Sequence, residues 1–133
     1  MFEMSKDFFE AFSKKVEKKG IIDEEIINII ENSFSIKSDL VLETLKRGIT
    51  KYIYKPSNRI LWTALGIEKE HIIYPKIYCS CRDFYKEVVI NNNRDVCKHL
   101  IAQVISVALN TFDYVELEDK EFEIRVEELK SEF

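Results

Sequence analysis

Residues 77–105 read IYCSCRDFYKEVVINNNRDVCKHLIAQVI. All 3 cysteines of the chain fall here, with one of its 2 histidines, as Cys79-x-Cys81, a spacer of 15 residues, and Cys97-x-His99. Three thiolates and one imidazole are a known structural ligand set for zinc, which favours four ligands in a tetrahedron. A Cys-x-Cys pair at the end of a strand brings two sulfurs to one ion only where the chain turns, and Ser80 with Arg82-Asp83 permits a turn. Residues two apart within a regular helix point to different sides. Cys97 and His99 therefore share an ion only if Cys97 lies at or just before the first turn of a helix. That places the helix N-terminus at the metal, where its positive end favours thiolate. The expectation is one structural Zn²⁺ held by Cys79, Cys81, Cys97 and His99, its net negative charge offset by Arg82, Arg94 and Lys98. Four protein ligands leave no open position for catalysis, and Cys-x-Cys lacks the spacing of a thioredoxin-type redox pair. His71 is a lone histidine in a strand and reads as surface or core, not as a fifth ligand.

Working outward, Leu100, Ile101, Val104, Ile105, Ala108 and Leu109 recur with helical period and form one apolar stripe, leaving Lys98, Gln103 and Ser106 to look outward. FYKEVVI (84–90) reads as a strand and NNNRD (91–95) as a polar loop. EHIIYPKIYCSC (70–81) reads as strand, with Pro75 marking an edge or a bend. ITKYIYKPSNRILWTALGI (49–67) is rich in β-branched and aromatic residues on both sides of Lys55-Pro56-Ser57-Asn58 and reads as a β-hairpin. Its alternation does not say which face is buried. The N-terminal third is helical. Phe8, Phe9, Phe12 and Val16 share a face, with Ser5 as N-cap and Gly20 as terminator, while Asp23 caps a short helix through Ile26, Ile27 and Ile30. Ser38 caps another, Asp39 to Arg47, ended by Gly48. Asp119 caps a last helix with Phe122, Val126 and Leu129 inward. The fold class is α+β: N-terminal helices, a small antiparallel β-sheet (hairpin), a zinc-anchored helix and a C-terminal helix. A single domain over 1–133 divides into a helical part (1–47), the zinc region (48–112) and a C-terminal helix (113–133).

Composition bounds the class. The chain has 133 residues, 46% hydrophobic and 33% charged, which suits one core with a solvated surface. No run approaches the ~18–20 apolar residues of a membrane span, and the N-terminus does not read as a secretory signal. The expected setting is intracellular, cytoplasmic or, in a eukaryotic source, nuclear, where thiols stay reduced. The net charge of −4 is unevenly spread: −4 over residues 1–45, +6 over 46–112 and −6 over 113–133. A positive middle is either a surface for polyanions or the match of the acidic tail.

Cys-x-Cys, a spacer, Cys-x-His, then Ala three residues later (here Ala102) resembles the SWIM zinc finger. KPSNRILWTALG (55–66), YCSCRDFY (78–85) and CKHLIAQVIS (97–106) extend the resemblance to the small SWIM proteins of the Shu complex, over roughly residues 40–129. Asn58 departs from this pattern mildly, where glycine would be the easier turn residue. The resemblance implies an adaptor, not an enzyme, working in homologous recombination and DNA repair as the partner of a RecA-family recombinase paralogue, with single-stranded DNA met through the complex. The partner surface is expected among surplus apolar residues of the N-terminal helices, Phe8, Phe12, Ile29, Phe34 and Leu42, which would equally serve a homodimer. The alternative is a direct single-stranded nucleic-acid-binding module using Lys51, Lys55, Arg59 and Trp62, since aromatics between cations can stack bases. SWIM fingers also occur in ubiquitin-pathway and transposase accessory proteins, whose chains carry further domains.

Overall fold

Residues 6–130 are described in a computed structural model. In chain order they form α1 (Lys6–Lys19), α2 (Glu24–Asn28) continuing into a π-helical turn (Ile29–Ser33), α3 (Ser38–Arg47), β1 (Ile49–Lys55), β2 (Arg59–Leu65), β3 (Glu70–Tyr74), β4 (Tyr78–Cys79), a π-helical segment (Phe84–Ile90), α4 (Lys98–Leu109), β5 (Asp113–Glu118) and α5 (Lys120–Lys130). The strands make one sheet in the order β4-β3-β2-β1-β5. The first four pair antiparallel, and β5 joins β1 in parallel, Thr50 facing Asp113 and Lys55 facing Glu118. The class is α+β as expected, and the sheet is larger than a hairpin.

Both sides of this sheet are covered, which explains why the hairpin sequence alternates so poorly. Ile49, Ala64, Ile73 and Cys79 join the larger core with Phe9, Phe12, Val16, Ile30, Val41, Leu100 and Ile105 from the helices. Tyr52, Tyr54, Leu61 and Ile72 point the other way and pack against Phe122 and Val126 of α5. Each strand thus carries apolar residues at both parities, a pattern that does not identify a single inward face. At the first hairpin turn the Lys55-Pro56 bond is cis, and Asn58 takes a left-handed φ of 65°. Turns at Gly66–Lys69 and at Pro75–Ile77 then reverse the chain into β3 and β4.

Several local expectations change. The segment Phe84–Ile90 is π-helical, not a strand. Its β-branched residues are overridden by packing, because Phe84 and Val88, four residues apart, are the buried pair. Gln103 and Ser106 are buried, because α4 lies between α1 and α3 on one side and the sheet on the other. Ser106 meets its own need locally by donating from Oγ to the Gln103 carbonyl at 2.8 Å. Ser38 does not cap α3. Its N–H and hydroxyl both donate to Glu31 Oε2, at 3.2 and 2.8 Å, and tie α3 to the preceding π turn. Asp119 spends its carboxylate on the hairpin, accepting from Ser57 N–H at 3.0 Å and from Ser57 Oγ at 2.6 Å, so it links α5 to the first turn. The C-terminal part, expected as a helix over 113–133, opens with β5 at Asp113–Glu118 before α5 begins.

Other signals act as read. Asp23 accepts from Ile26 N–H at 3.1 Å and starts α2. Gly20 and Gly48 end α1 and α3 with φ of 68° and 120°. Ser5, and the side chain of Leu129, lie outside the described residues.

Candidate metal centre

Cys79 is the last residue of β4 and pairs with Ile73, whose side chain belongs to the helix-covered face. Ser80 then makes the turn. Its N–H donates to the Ile72 carbonyl at 3.0 Å, and its Oγ accepts from Ile72 N–H at 2.8 Å. The chain leaves the sheet at Cys81, whose sulfur accepts from Phe84 N–H at 3.3 Å. That bond starts the π-helical segment, so the helical form of 84–90 serves the site. The loop back is held by Arg94, which binds both carboxylate oxygens of Asp83 at 2.9 and 2.8 Å. Arg94 is therefore committed to the loop, and Arg82 is exposed.

Cys97 occupies the N-cap of α4 in extended conformation, φ −110° and ψ 170°, and its side chain caps nothing. His99 follows in the first turn. This is the arrangement that lets residues two apart reach one point. Ligand atoms of Cys79, Cys81, Cys97 and His99 all lie within 4.8 Å of one another, and all four residues are buried. Cys97 Sγ and His99 Nδ1 are 3.8 Å apart. A tetrahedral zinc with bonds of 2.3 Å to sulfur and about 2.0–2.1 Å to nitrogen sets ligand atoms roughly 3.6–3.8 Å apart. The donor set and its spacing fit zinc, and the three cysteines are unpaired thiols.

The electrostatics point the same way. Cys81 is held well below the ordinary thiol range by hydrogen bonds from Cys79 and then Cys97. Cys79 is pushed up, first by donating to Cys81 and then to Cys97, with burial adding to both. Cys97 is pushed up chiefly by burial. Three buried sulfurs so close together cannot all carry a charge unless a cation offsets it. A divalent ion replaces the remaining thiol protons and leaves a net charge of −1 on the site.

Comparison with known proteins follows the same residues. No family model matches the chain, and no solved structure does. The chain is 28% identical over 88 residues to the Zinc finger SWIM domain-containing protein 7 homolog of Dictyostelium discoideum, covering 65% of this chain and 56% of that protein. The chain is thus similar to a protein named for a SWIM zinc finger. Human Zinc finger SWIM domain-containing protein 7 is 25% identical over 108 residues, covering 80% of this chain and 77% of the human one. The first of these SWIM relatives is thus spanned over little more than half its length. In the SWIM pattern Ala102 follows His99 by three residues, and here it is fully buried in α4.

His71, which the sequence reading sets apart from the site, stands beside it. Its ring centroid is 4.8 Å from that of His99, with the planes tilted by 49°. Burial, and then the charge of His99, pull its pKa down to about 4, so the ring is neutral at physiological pH. No local motif announces this, because the contact depends on the register that sets β3 beneath the start of α4. The two rings floor a cavity of about 330 Å³ bordered by Arg47, Lys69 and Lys98.

The basic hairpin residues do not form one surface. Lys51 lies 5.7 Å from the centroid of the Trp62 ring, and Trp62 packs edge-on against Phe112 at 5.1 Å. Lys55 reaches Asn58 Oδ1 at 2.6 Å. Arg59 points to the opposite face, stacked 5.1 Å over Phe122. Of the apolar residues expected at a partner surface, Phe12 and Phe34 are core, 3% and 2% exposed. Phe34 fills the centre of an aromatic cluster with Phe8, Phe9 and Phe12, which is why it is not free for contact. Phe8 and Leu42 are exposed and Ile29 is half-buried. Among the described residues no helix is long and apolar enough to cross a membrane.

Proposed function

We infer that this chain is a zinc-folded adaptor, not an enzyme, that acts in homologous recombination and DNA repair through a stable complex with a RecA-family recombinase paralogue. The observation that carries the reading is the convergence of the three stretches that resemble the Shu-complex SWIM proteins. Residues 55–66 supply the turn and β2, residues 78–85 supply Cys79 and Cys81, and residues 97–106 supply Cys97, His99 and the buried α4. A likeness concentrated on one zinc-centred unit suits a module whose task is to present a shaped surface. The surface offered is a groove of about 200 Å³ lined by Phe8, Ala11, Phe12 and Ile29, between α1 and the π turn. An apolar partner side chain would seat there against the edge of the aromatic cluster. A homodimer would use the same groove.

Co-expression with each RecA-family paralogue of the same genome, followed by size-exclusion chromatography, tests the reading. Co-elution of one paralogue at micromolar concentration supports it, and loss of co-elution in Phe8→Ser places the groove at the contact. Failure of every paralogue to co-elute removes the recombination role and leaves the zinc module.

The second reading, direct binding of single-stranded nucleic acid, is favoured by the Lys51–Trp62 pair on a sheet face that also carries the exposed residues Ile60 and Tyr114. Arg59 on the other face and the acidic flanks work against it. The chain alone is expected to bind oligonucleotides only at the non-specific level, roughly 10⁻⁴–10⁻⁶ M at physiological salt.

A further inference from the structure

We propose that the β3–β4 edge of the sheet, beside the metal centre, is a site for single-stranded nucleic acid, where Tyr74, Tyr78 and Tyr85 stack bases and Lys76, Arg82 and Lys86 meet phosphates. This rests on direct binding of a single strand, the second reading of the chain, and moves the contact away from the first hairpin. Bases stack on any exposed aromatic face, and cations beside it follow the backbone. Such a surface needs rings outside the core and charges not already paired with carboxylates.

The rings meet the first condition. Tyr74, Tyr78 and Tyr85 are 56%, 40% and 61% exposed, whereas Tyr52 and Tyr54 are buried. Tyr74 and Tyr78 are partners across β3 and β4, with ring centroids 5.8 Å apart and planes tilted by 38°. Their neighbours Ile73 and Cys79 join the helix-covered core, so strand alternation turns the two tyrosines to the opposite face. Ile77 N–H donates to the Tyr74 carbonyl at 3.0 Å and closes the turn between them, which holds Lys76 at a φ of 68°. Tyr78 packs edge-on against Phe84 at 5.5 Å, and the π-helical segment that Phe84 begins continues into the exposed Tyr85 and Lys86. Cys79 and Cys81 follow Tyr78 directly, so the metal ligands anchor this edge.

The cations meet the second condition. Lys76, Arg82 and Lys86 are exposed, and among the described residues none of them is in an ion pair. The nearby carboxylates are engaged elsewhere. Asp83 is held by Arg94, and Glu87 accepts from the Asn91 and Asn93 amides at 3.1 and 2.9 Å. The first hairpin meets neither condition as well. Its cations lie against Trp62, Asn58 and Phe122, and β5 brings Asp113, Glu116 and Glu118 alongside β1. Ile77, Val89 and Ile90 are exposed too, which would suit an apolar protein surface. Three unpaired cations among the tyrosines favour a polyanion over that occupant.

The test uses the zinc-loaded full chain and a fluorescent oligothymidylate at low salt, read by anisotropy. The slope of log K on log salt should be about −2, from three phosphate contacts at roughly 0.7 each. Changing Lys76, Arg82 and Lys86 together to Gln should flatten that slope toward zero. Tyr74→Ser should weaken binding roughly 5–150-fold, the worth of one stacked base. Photocrosslinking of an iodouracil oligonucleotide to the unsubstituted chain, mapped by mass spectrometry, needs no variant to fold and should label Tyr74, Tyr78 or Tyr85. Labelling at Trp62 or Tyr114, with an unaltered salt slope in the triple variant, would overturn this site while leaving direct single-strand binding in place. Absence of any binding by the unsubstituted chain at low salt would remove that reading as well, and leave the β3–β4 edge to a protein.

Discussion

Arg125 on α5 forms an ion pair with Glu70 on β3, reaching across the sheet face on which Tyr52 and Thr63 lie. Tyr52 donates its hydroxyl to Glu70 Oε2 at 3.0 Å, and Thr63 Oγ1 donates to the same oxygen at 2.7 Å. The guanidinium also stacks on the Tyr52 ring, 4.7 Å from its centroid. Four side chains from four elements thus share one partly buried polar network, which fastens α5 over the smaller core.

Removing the cation should loosen that fastening without touching the zinc site. Arg125→Met leaves Glu70 largely buried with two neutral donors and no cation. The pair is 29% and 20% exposed, so the loss falls below the 3–5 kcal/mol of a fully buried pair, at about 2 kcal/mol. Urea unfolding of the zinc-loaded protein measures it. A double change with Glu70→Gln should recover part of the loss, because the unpaired charge is gone.

Phe34 and Phe8 should separate core from surface. Phe34→Ala opens a cavity amid three aromatic neighbours and should cost about 3–5 kcal/mol. Phe8, 37% exposed, meets Phe34 edge-on from the rim of the cluster and should cost about 1 kcal/mol as Phe8→Ser. Thermal unfolding of the two variants checks the order. Equal losses would mean that Phe8 is core too, and would remove the groove as a docking surface.

Much of this was legible in the sequence, for reasons that are local. The ligand set could be read because zinc chemistry restricts residue type, and because Cys97-x-His99 works only at a helix start. Asp23, Gly20 and Gly48 act through their own backbone geometry, so short-range rules find them. What escaped depends on contacts far apart in the chain. Phe84–Ile90 is made helical by the Cys81 sulfur and the Asp83–Arg94 pair, neither of which β-propensity registers. Gln103 and Ser106 are buried because α4 is enclosed from both sides, which a single apolar stripe does not announce. DYVELE alternates as a strand should, yet its partner is β1, more than fifty residues earlier, and the pairing is parallel. His71 meets His99 only through strand register.

Acid should release the metal and the fold together. Zinc binds thiolate, and in the metal-free cluster Cys79 and Cys97 sit above the ordinary thiol range, so binding must expel their protons. Metal holds the ligand groups deprotonated, which depresses their pKa in the folded state. The associated stability is present at neutral pH and disappears as pH falls and protons reclaim the sulfurs. Zinc release, followed with a chromogenic chelator, should coincide with loss of near-ultraviolet circular dichroism. A native dichroism spectrum that survives complete release would show that metal does not organise the fold.

The central claim is that Cys79, Cys81, Cys97 and His99 hold one zinc ion on which α4 and the sheet depend. Native mass spectrometry of the purified full chain, paired with elemental analysis, tests it most directly. The account predicts a single species carrying one zinc per chain, and unfolded or insoluble protein for Cys81→Ala and Cys97→Ala, since structural zinc contributes roughly 10–16 kcal/mol of apparent binding in small domains. A folded, monodisperse chain at its metal-free mass, with either cysteine variant equally well folded, would contradict it.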